Sequence, residues 1–94
     1  MVKVTWTRLA EKDLDEIETY IAQDSPFYAK RTIEKILKRV EVLQRFPQTG
    51  RIVPEFDHKD IRELIEGNYR IVYFIISSDE AIITRVHHGA RLLQ

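Results

Sequence analysis

The chain has 94 residues, contains no cysteine, and carries 15 basic and 15 acidic residues that cancel to a net charge of zero. This length suits one domain, residues 1–94, and is too short for two. The absence of cysteine excludes disulfides and thiolate metal sites, which is typical of a reducing cytoplasm. We find neither a signal peptide nor an apolar run near the roughly 20 residues that span a bilayer. We therefore predict a cytoplasmic protein without membrane contact.

The charges are unevenly distributed along the chain. Residues 11–24 contain six acids and one base, whereas residues 30–51 contain seven bases and two acids. A domain that binds nucleic acid by charge alone usually has a pI above about 9, and this chain has a pI near 6.8. Two interpretations are open: an acidic and a basic helix expose solvated faces that attract each other, or the basic helix faces an acidic partner.

The N-terminal third of the chain predicts a strand followed by a helix. Residues 2–6 alternate between apolar and polar side chains and are rich in β-branched residues, which is typical of a strand. Apolar residues then recur at i, i+4, i+7 and i+11, which places them on one face of a helix over residues 7–23. These four residues are Ala10, Leu14, Ile17 and Ile21.

A second helix is predicted to begin at Ser25-Pro26. The serine hydroxyl can accept an unpaired backbone N–H, and proline loses nothing at the first helical position. The apolar period then continues through Ala29, Ile33, Ile36, Val40 and Leu43, with Leu37 widening the stripe. We expect this helix to end near Arg45, because Pro47 cannot continue it. Since the turn at Asp24-Ser25 is short, the two helices should be antiparallel neighbours.

The second half of the chain predicts a sheet. Residues 46–60 show no clear period, and a connection of this length is often functional in a compact domain. Three strand-like segments follow, at residues 61–65, 69–76 and 81–88. Gly67-Asn68 supplies a tight hairpin turn between the first two. The middle segment is apolar at nearly every position, which predicts a central strand buried on both faces.

The order of these elements is β-α-α-β-β-β. It predicts an α+β fold in which an antiparallel helical hairpin packs on a small, mainly antiparallel sheet.

Several short motifs, taken in order, resemble the RelE/ParE toxin superfamily. In the helical half they are Ala10, Asp13-Leu14, Ile17, Tyr20-Ile21, Ser25-Pro26 and Ala29. In the connection they are Leu43, Phe46-Pro47, Gly50-Arg51 and Val53-Pro54-Glu55. In the strands and tail they are Ile61-Arg62-Glu63-Leu64, Tyr69-Arg70-Ile71-Val72-Tyr73 and Val86-His87-His88-Gly89-Ala90-Arg91. The ordered set covers nearly the whole chain, and the superfamily's fold agrees with the one predicted above.

The resemblance implies the toxin half of a bacterial type II toxin–antitoxin system, a class linked to growth inhibition and plasmid stabilization. A cognate antitoxin would wrap this chain as a hetero-oligomer and neutralise it. One branch of the superfamily cleaves messenger RNA on the ribosome. The ParE branch instead inhibits DNA gyrase by protein binding and has no known hydrolytic site. The helical half of this chain looks closer to ParE.

The resemblance to the nuclease branch implies a candidate catalytic set. RNA cleavage without a metal needs a base for the 2′-OH proton, cations for the phosphate charge and an acid for the leaving oxygen. Arg70 matches that branch's arginine on the central strand, and Arg62 matches a basic position on the preceding strand. The carboxylate, imidazole and tail positions would be filled by Glu55, His87 or His88, and Arg91.

Other features oppose the nuclease interpretation. Glu63 falls where other nuclease members carry two lysines, and the tail tyrosine typical of those members is missing. A two-residue hairpin turn would also put Arg70 on the opposite sheet face from Arg62, whereas a three-residue loop would put both on one face. In the two-residue register Glu63 lies diagonally across from Arg70, which offers that arginine a purely structural ion pair.

The histidines and aromatic residues have structural alternatives as well. His87 and His88 are neighbours on a strand, so at most one of them joins any single cluster. They have no third ligand at useful spacing, so we predict no metal and no cofactor. His58 is expected in a solvent-exposed loop. Three aromatic residues are predicted to pack in the core and between the helices rather than to stack on bases: Trp6, Tyr20 and Phe46.

Three functions are therefore open at this point. The first is a gyrase-directed toxin that acts by protein binding, and the second is a ribosome-dependent ribonuclease. The third is a non-toxic partner-binding domain of the same fold. For all three we expect an antitoxin partner, which an exposed part of the helical stripe near Leu37 could contact.

Overall fold

Two helices and five strands make up residues 1–89, the part of the chain that the computed structural model describes. Their bounds are β1 (Lys3–Trp6), α1 (Arg8–Ala22), α2 (Pro26–Val40), β2 (Arg51–Ile52), β3 (Ile61–Glu66), β4 (Tyr69–Ser77) and β5 (Glu80–His88). The predicted α+β class is confirmed. Strand β2 was not predicted, because two residues are too few to show an alternating pattern.

The five strands form one sheet in the order β1-β5-β4-β3-β2. The pairs β2–β3, β3–β4 and β4–β5 are antiparallel, and β1 pairs with β5 in parallel. A parallel neighbour needs a long connection, which here contains both helices and the strands β2, β3 and β4. The turn at Gly67-Asn68 contains two residues, since Glu66 pairs with Tyr69 and Arg62 with Tyr73. The two-residue register is thus the one that forms.

The predicted Ser25 cap of α2 is confirmed, and α1 is capped by Thr7, which was not predicted as a cap. The Thr7 hydroxyl accepts the N–H of Ala10 at 3.0 Å, and the Ser25 hydroxyl accepts the N–H of Tyr28 at 3.2 Å. Helix α2 ends at Val40 rather than near Arg45, and a 3₁₀ turn over Glu41–Gln44 completes the predicted segment. A tighter last turn is a common way to satisfy the carbonyls at a helix end.

The hydrophobic core lies between the helices and one face of the sheet. The helices and the 3₁₀ turn contribute Ala10, Ile36, Val40 and Leu43. The strands contribute Leu64, Ile71, Tyr73, Ala81, Ile83 and Val86. The predicted burial of β4 on both faces is confirmed for residues 70–73, where Val72 packs with Val53 and Ile61 on the side opposite the helices. It is wrong for the end of the strand, because Phe74 and Ile76 are 38% and 48% exposed.

Two of the three aromatic predictions are wrong. Trp6 packs against the core as expected, but Tyr20 is 74% and Phe46 is 63% exposed. Tyr20 precedes the partly buried Ile21 and is therefore rotated by about 100° away from the apolar face of α1. Phe46 follows the 3₁₀ turn, where no helical periodicity directs it inward. Leu37 is 45% exposed, as the width of the stripe had suggested.

Side chains at the start of α1 pair with the backbone of β5 beyond the end of β1. Strand β1 ends at Trp6, opposite Ile83. Beyond that point the Thr7 hydroxyl donates to the Thr84 carbonyl at 3.0 Å, and a carboxylate oxygen of Asp13 accepts the Val86 N–H at 2.9 Å. Since unpaired backbone groups at a sheet edge are costly when buried, these two side chains extend the sheet without a further strand.

The buried Tyr73 holds the connection between α2 and β2 to the sheet through two hydrogen bonds. The Tyr73 hydroxyl donates to the Pro47 carbonyl at 2.6 Å and accepts the Gly50 N–H at 2.9 Å. The backbone at Gly50 lies so close to β3 that a Cβ at this position would be 2.6 Å from the Glu63 carbonyl oxygen. A side chain at position 50 would therefore collide with this oxygen, so glycine is required here.

Within residues 1–89, neither helix has the length and apolar character to cross a membrane.

We expect Tyr73→Phe to destabilise the fold by about 1–3 kcal/mol, because it leaves a buried donor and a buried acceptor unpaired. For a domain of this size each kcal/mol lowers Tm by about 4–8 °C. Thermal unfolding followed by circular dichroism measures the shift. Tyr28→Phe is the matched control, since Tyr28 is 63% exposed. Equal Tm values for the two variants would contradict this role of the hydroxyl.

Stability should also fall at alkaline pH because of Tyr73. Burial raises the pKa of Tyr73 above its ordinary value of 10.0. The unfolded state therefore loses this proton first, so the contribution is fully present below pH 10.0 and is lost as pH rises through the folded-state pKa. Urea titrations between neutral pH and pH 11 (about one unit above the ordinary value) should show a smaller alkaline loss for Tyr73→Phe than for the wild type. Parallel losses would refute the assignment.

Candidate functional site

A four-residue ion network lies on the sheet face opposite the helices. Glu63 on β3 accepts the Arg70 Nε–H at 2.6 Å on one carboxylate oxygen and the Arg51 Nε–H at 2.5 Å on the other. The two terminal nitrogens of Arg70 donate to the two carboxylate oxygens of Glu55, at 2.7 and 2.9 Å. The predicted Glu63–Arg70 pair is thus confirmed and is half of a larger network.

The network is buried at its centre. The Glu63 side chain has no exposed surface and that of Arg70 is 8% exposed, whereas the Arg51 side chain at the sheet edge is 59% exposed. Burial of a charge is costly unless it is paired and hydrogen-bonded. The hydrogen bonds to Glu55, and then those to Glu63, raise the pKa of Arg70. Arg70 is therefore a permanent cation whose charge is balanced by two carboxylates.

His87 joins this face of the sheet and His88 does not. In the β4–β5 ladder His87 is the direct partner of Arg70, so their side chains lie on the same face. His87 is 8% exposed. His88 instead pairs with Tyr69 on the other face, where the two rings meet edge to face at 5.9 Å. The prediction that the two histidines point to opposite faces is confirmed.

Arg62 lies away from this network and holds the loop before β2. Its Nε donates to the Lys59 carbonyl at 2.9 Å, and one terminal nitrogen donates to the carbonyls of Gln48 and Gly50 at 3.1 and 3.0 Å. Its ladder partner is Tyr73, which faces the helices. The structure therefore separates Arg62 from Arg70, and a single cluster cannot use both arginines from one face.

The remaining candidates are distributed as follows. Glu55, Arg70 and His87 are brought together, and Arg91 lies outside the described residues. At the β3–β4 turn an open depression of about 340 Å³ is lined in part by Arg51, Arg70 and His88. His58 is exposed in its loop, as expected. Within residues 1–89 we find no group of three or more His, Cys, Asp or Glu residues arranged to hold a metal ion.

Two features of the site were missed by sequence reasoning. The partnership of Arg51 with Glu63 depends on β2, which left no detectable pattern. Asp13 was noted only as part of the family motif, yet it also pairs with Arg85, whose Nε lies 2.9 Å from its carboxylate. This hydrogen bond raises the pKa of Arg85. The position of Asp13 beside the apolar stripe of α1 was the sequence feature that could have indicated a buried carboxylate.

The family model described as the ParE toxin of the type II toxin–antitoxin system parDE matches residues 4–93. The chain belongs to this family. It is therefore a toxin of the type II toxin–antitoxin class, within the RelE/ParE superfamily. A curated relative from Sinorhizobium fredii, Y4kP, is provisionally named a toxin. It is 35% identical over 86 residues, which are 90% of this chain and 86% of the relative.

Solved structures of two toxin–antitoxin systems each contain a chain with the same fold. A chain of the chromosomal ParDE toxin–antitoxin system from P. aeruginosa superposes with a TM-score of 0.76 at 26% identity, covering 94% of this ParE-family chain and 96% of the other. A chain of the RelBE2 toxin–antitoxin complex from Mycobacterium tuberculosis gives a TM-score of 0.66 at 23% identity, with 97% of each chain covered. The second likeness concerns the fold alone.

The network has a clear expected effect on stability. Glu63→Leu leaves Arg70 buried without one carboxylate and should cost about 3–5 kcal/mol. Adding Arg70→Met should recover most of that loss, because a buried ion pair can often be replaced by apolar groups of similar size. Urea unfolding followed by Trp6 fluorescence measures both.

Glu66→Leu on the same strand is the matched control and should change stability by no more than about 0.5 kcal/mol. A loss for Glu63→Leu no larger than that for Glu66→Leu would show that the network does not stabilise the sheet.

Proposed function

We propose that this chain inhibits DNA gyrase by binding to it, as the toxin half of a bacterial pair, and that a cognate antitoxin binds and neutralises it in the cytoplasm. Three observations support the proposal. The family model that matches residues 4–93 is that of the parDE toxin, and a ParDE structure superposes on 94% of the chain. The third observation concerns the charge of Arg70 and carries the argument.

Arg70 is the residue that the nuclease interpretation needs as a phosphate clamp. Each of its three side-chain nitrogens donates to Glu55 or Glu63 at 2.6 to 2.9 Å. A phosphate oxygen would have to displace carboxylates that already supply both the geometry and the charge. Glu63 also adds a buried negative charge at the place where a transition state for RNA cleavage accumulates negative charge. This electrostatic balance favours protein binding without catalysis.

One observation favours the ribonuclease as a second candidate. Glu55, Arg70 and His87 share one sheet face, and a carboxylate, an imidazole and a guanidinium are the groups that general acid–base cleavage of RNA requires. If RNA displaced Glu55 from Arg70, the freed carboxylate could accept the 2′-OH proton while His87 protonated the leaving oxygen. Arg62 has no part in this version, because it lies on the other face of the sheet.

Induction of the chain in a bacterium distinguishes these functions when total RNA and plasmid topology are read in the same culture. The gyrase proposal predicts growth arrest, intact messenger RNA, and relaxed plasmid or trapped double-strand breaks. Purified chain should also inhibit supercoiling by purified gyrase. The ribonuclease would instead give cleaved messenger RNA and unaltered supercoiling in the purified assay.

Glu55→Gln and His87→Gln extend this test, with Asp79→Asn in the exposed β4–β5 turn as a control. Loss of messenger RNA cleavage in both variants, with unchanged Tm, would establish the ribonuclease and overturn our proposal. Growth without arrest by the folded wild-type chain would point instead to a non-toxic binding domain.

A further inference from the structure

Helix α2 carries a row of cations on one side. The row consists of Arg31, Lys35, Lys38 and Arg39. Residues three and four positions apart are neighbours on a helix surface, and like charges at these spacings repel. Lys35 has such a neighbour on either side, at Arg31 and Arg39. Repulsion within the row weakens the helix, whereas Lys38 and Arg39 in the last turn interact favourably with the helix dipole.

These cations lack carboxylate partners in the described part of the chain. Among residues 1–89 the ion pairs of the arginines are those of Arg51, Arg70 and Arg85. Arg39 donates instead to the Ile65 carbonyl, at 3.3 Å from Nε. That bond holds the guanidinium against β3 and leaves its two terminal nitrogens for another acceptor. Three arginines of the sheet, Arg51, Arg70 and Arg85, are thus paired with carboxylates, whereas the cations of α2 are not paired with any within the described range.

Three of the cations line an open groove between α2 and the end of β3. The groove has a volume of about 390 Å³ and is lined by Lys35, Lys38, Arg39, Val42 and Glu66; we call it the basic groove. Val42 and the methylene stems of the lysines supply apolar surface beside the charges. Glu66 adds one negative charge at the β3 end. The groove therefore combines three cations, an apolar surface and one carboxylate, that of Glu66.

We propose that the basic groove docks an extended acidic segment of the antitoxin, in which acidic residues recur at every second position. This inference rests on the proposed function, because it assigns a binding surface to the expected partner. Lys35 and Arg39 are about 6 Å apart along the helix axis. Every second residue of an extended segment is separated by about 6.7 Å, so its acidic side chains can meet successive cations. Successive side chains of an extended segment point to opposite faces, so an apolar residue that contacts Val42 belongs to the same alternate series as the acids.

Nucleic acid fits the basic groove less well. Glu66 repels phosphates and carboxylates alike, but a phosphate backbone cannot form apolar contacts with Val42, whereas peptide side chains can. The chain as a whole is neutral, so it lacks the long-range attraction that typically brings DNA to a basic surface. An acidic peptide needs only the local row of charges.

The test compares Lys35→Glu with Lys30→Glu. Both variants reverse one charge on an exposed part of the same helix, but Lys30 does not line the groove. The probe is the purified small protein encoded beside this gene, and a short DNA duplex of random sequence is a second probe. We expect Lys35→Glu to weaken binding to the protein probe by about tenfold at low salt, with a reduced salt dependence of Kd. Lys30→Glu should change it by less than about twofold.

Each outcome has a defined meaning. If the wild-type chain does not bind the neighbouring protein at all, the proposed function fails and this inference fails with it. If the wild type binds but Lys35→Glu binds equally well, or Lys30→Glu loses as much affinity, the basic groove is not the docking surface. If Lys35→Glu weakens only the binding of DNA, the occupant is nucleic acid and the inference is overturned. Circular dichroism confirms that both variants are folded.

Discussion

The buried carboxylate of Glu63 is the constraint on which the outer half of the sheet depends. A charge without exposed surface must be compensated locally, and the compensation here comes from Arg70 on β4 and Arg51 on β2. Arg70 in turn holds Glu55, which lies in the connection before β3. One buried acid therefore ties a central strand, a two-residue edge strand and a long loop to the same face of the sheet.

Other polar side chains also bind loops and strand edges to the sheet. Asp13 and Thr7 complete β5 beyond the end of β1. Tyr73 and Arg62 hold the backbone around Pro47 to Gly50 from the helix-facing side. With few residues and one small core, such hydrogen bonds position the segments that regular packing does not reach.

The arginines of the sheet and the cations of α2 differ in their partners, and this difference bears on function. On the sheet, each of Arg51, Arg62, Arg70 and Arg85 is committed to a carboxylate or to backbone carbonyls. On α2, the row of cations has no carboxylate partner in the described residues, and Arg39 alone among them donates to a backbone carbonyl, that of Ile65. A partner attracted by positive charge therefore meets the helix rather than the sheet. The arrangement favours recognition of a protein over chemistry at Arg70, because a balanced guanidinium has little charge left for a phosphate.

Periodicity and turn chemistry determined much of this protein from the sequence alone. They placed the two helices, the Ser25 cap and the three long strands. They left a two-residue and a three-residue turn open, and only the two-residue turn implied the Glu63–Arg70 pair and the separation of Arg70 from Arg62. The tertiary structure alone decided that β2 exists, that Arg51 shares Glu63, and that Tyr20 and Phe46 are exposed. Local patterns report which face of an element is apolar, because that property repeats along the chain. Partners distant in sequence meet only when the whole sheet assembles, so the ion network and the uncompensated row on α2 required the structure.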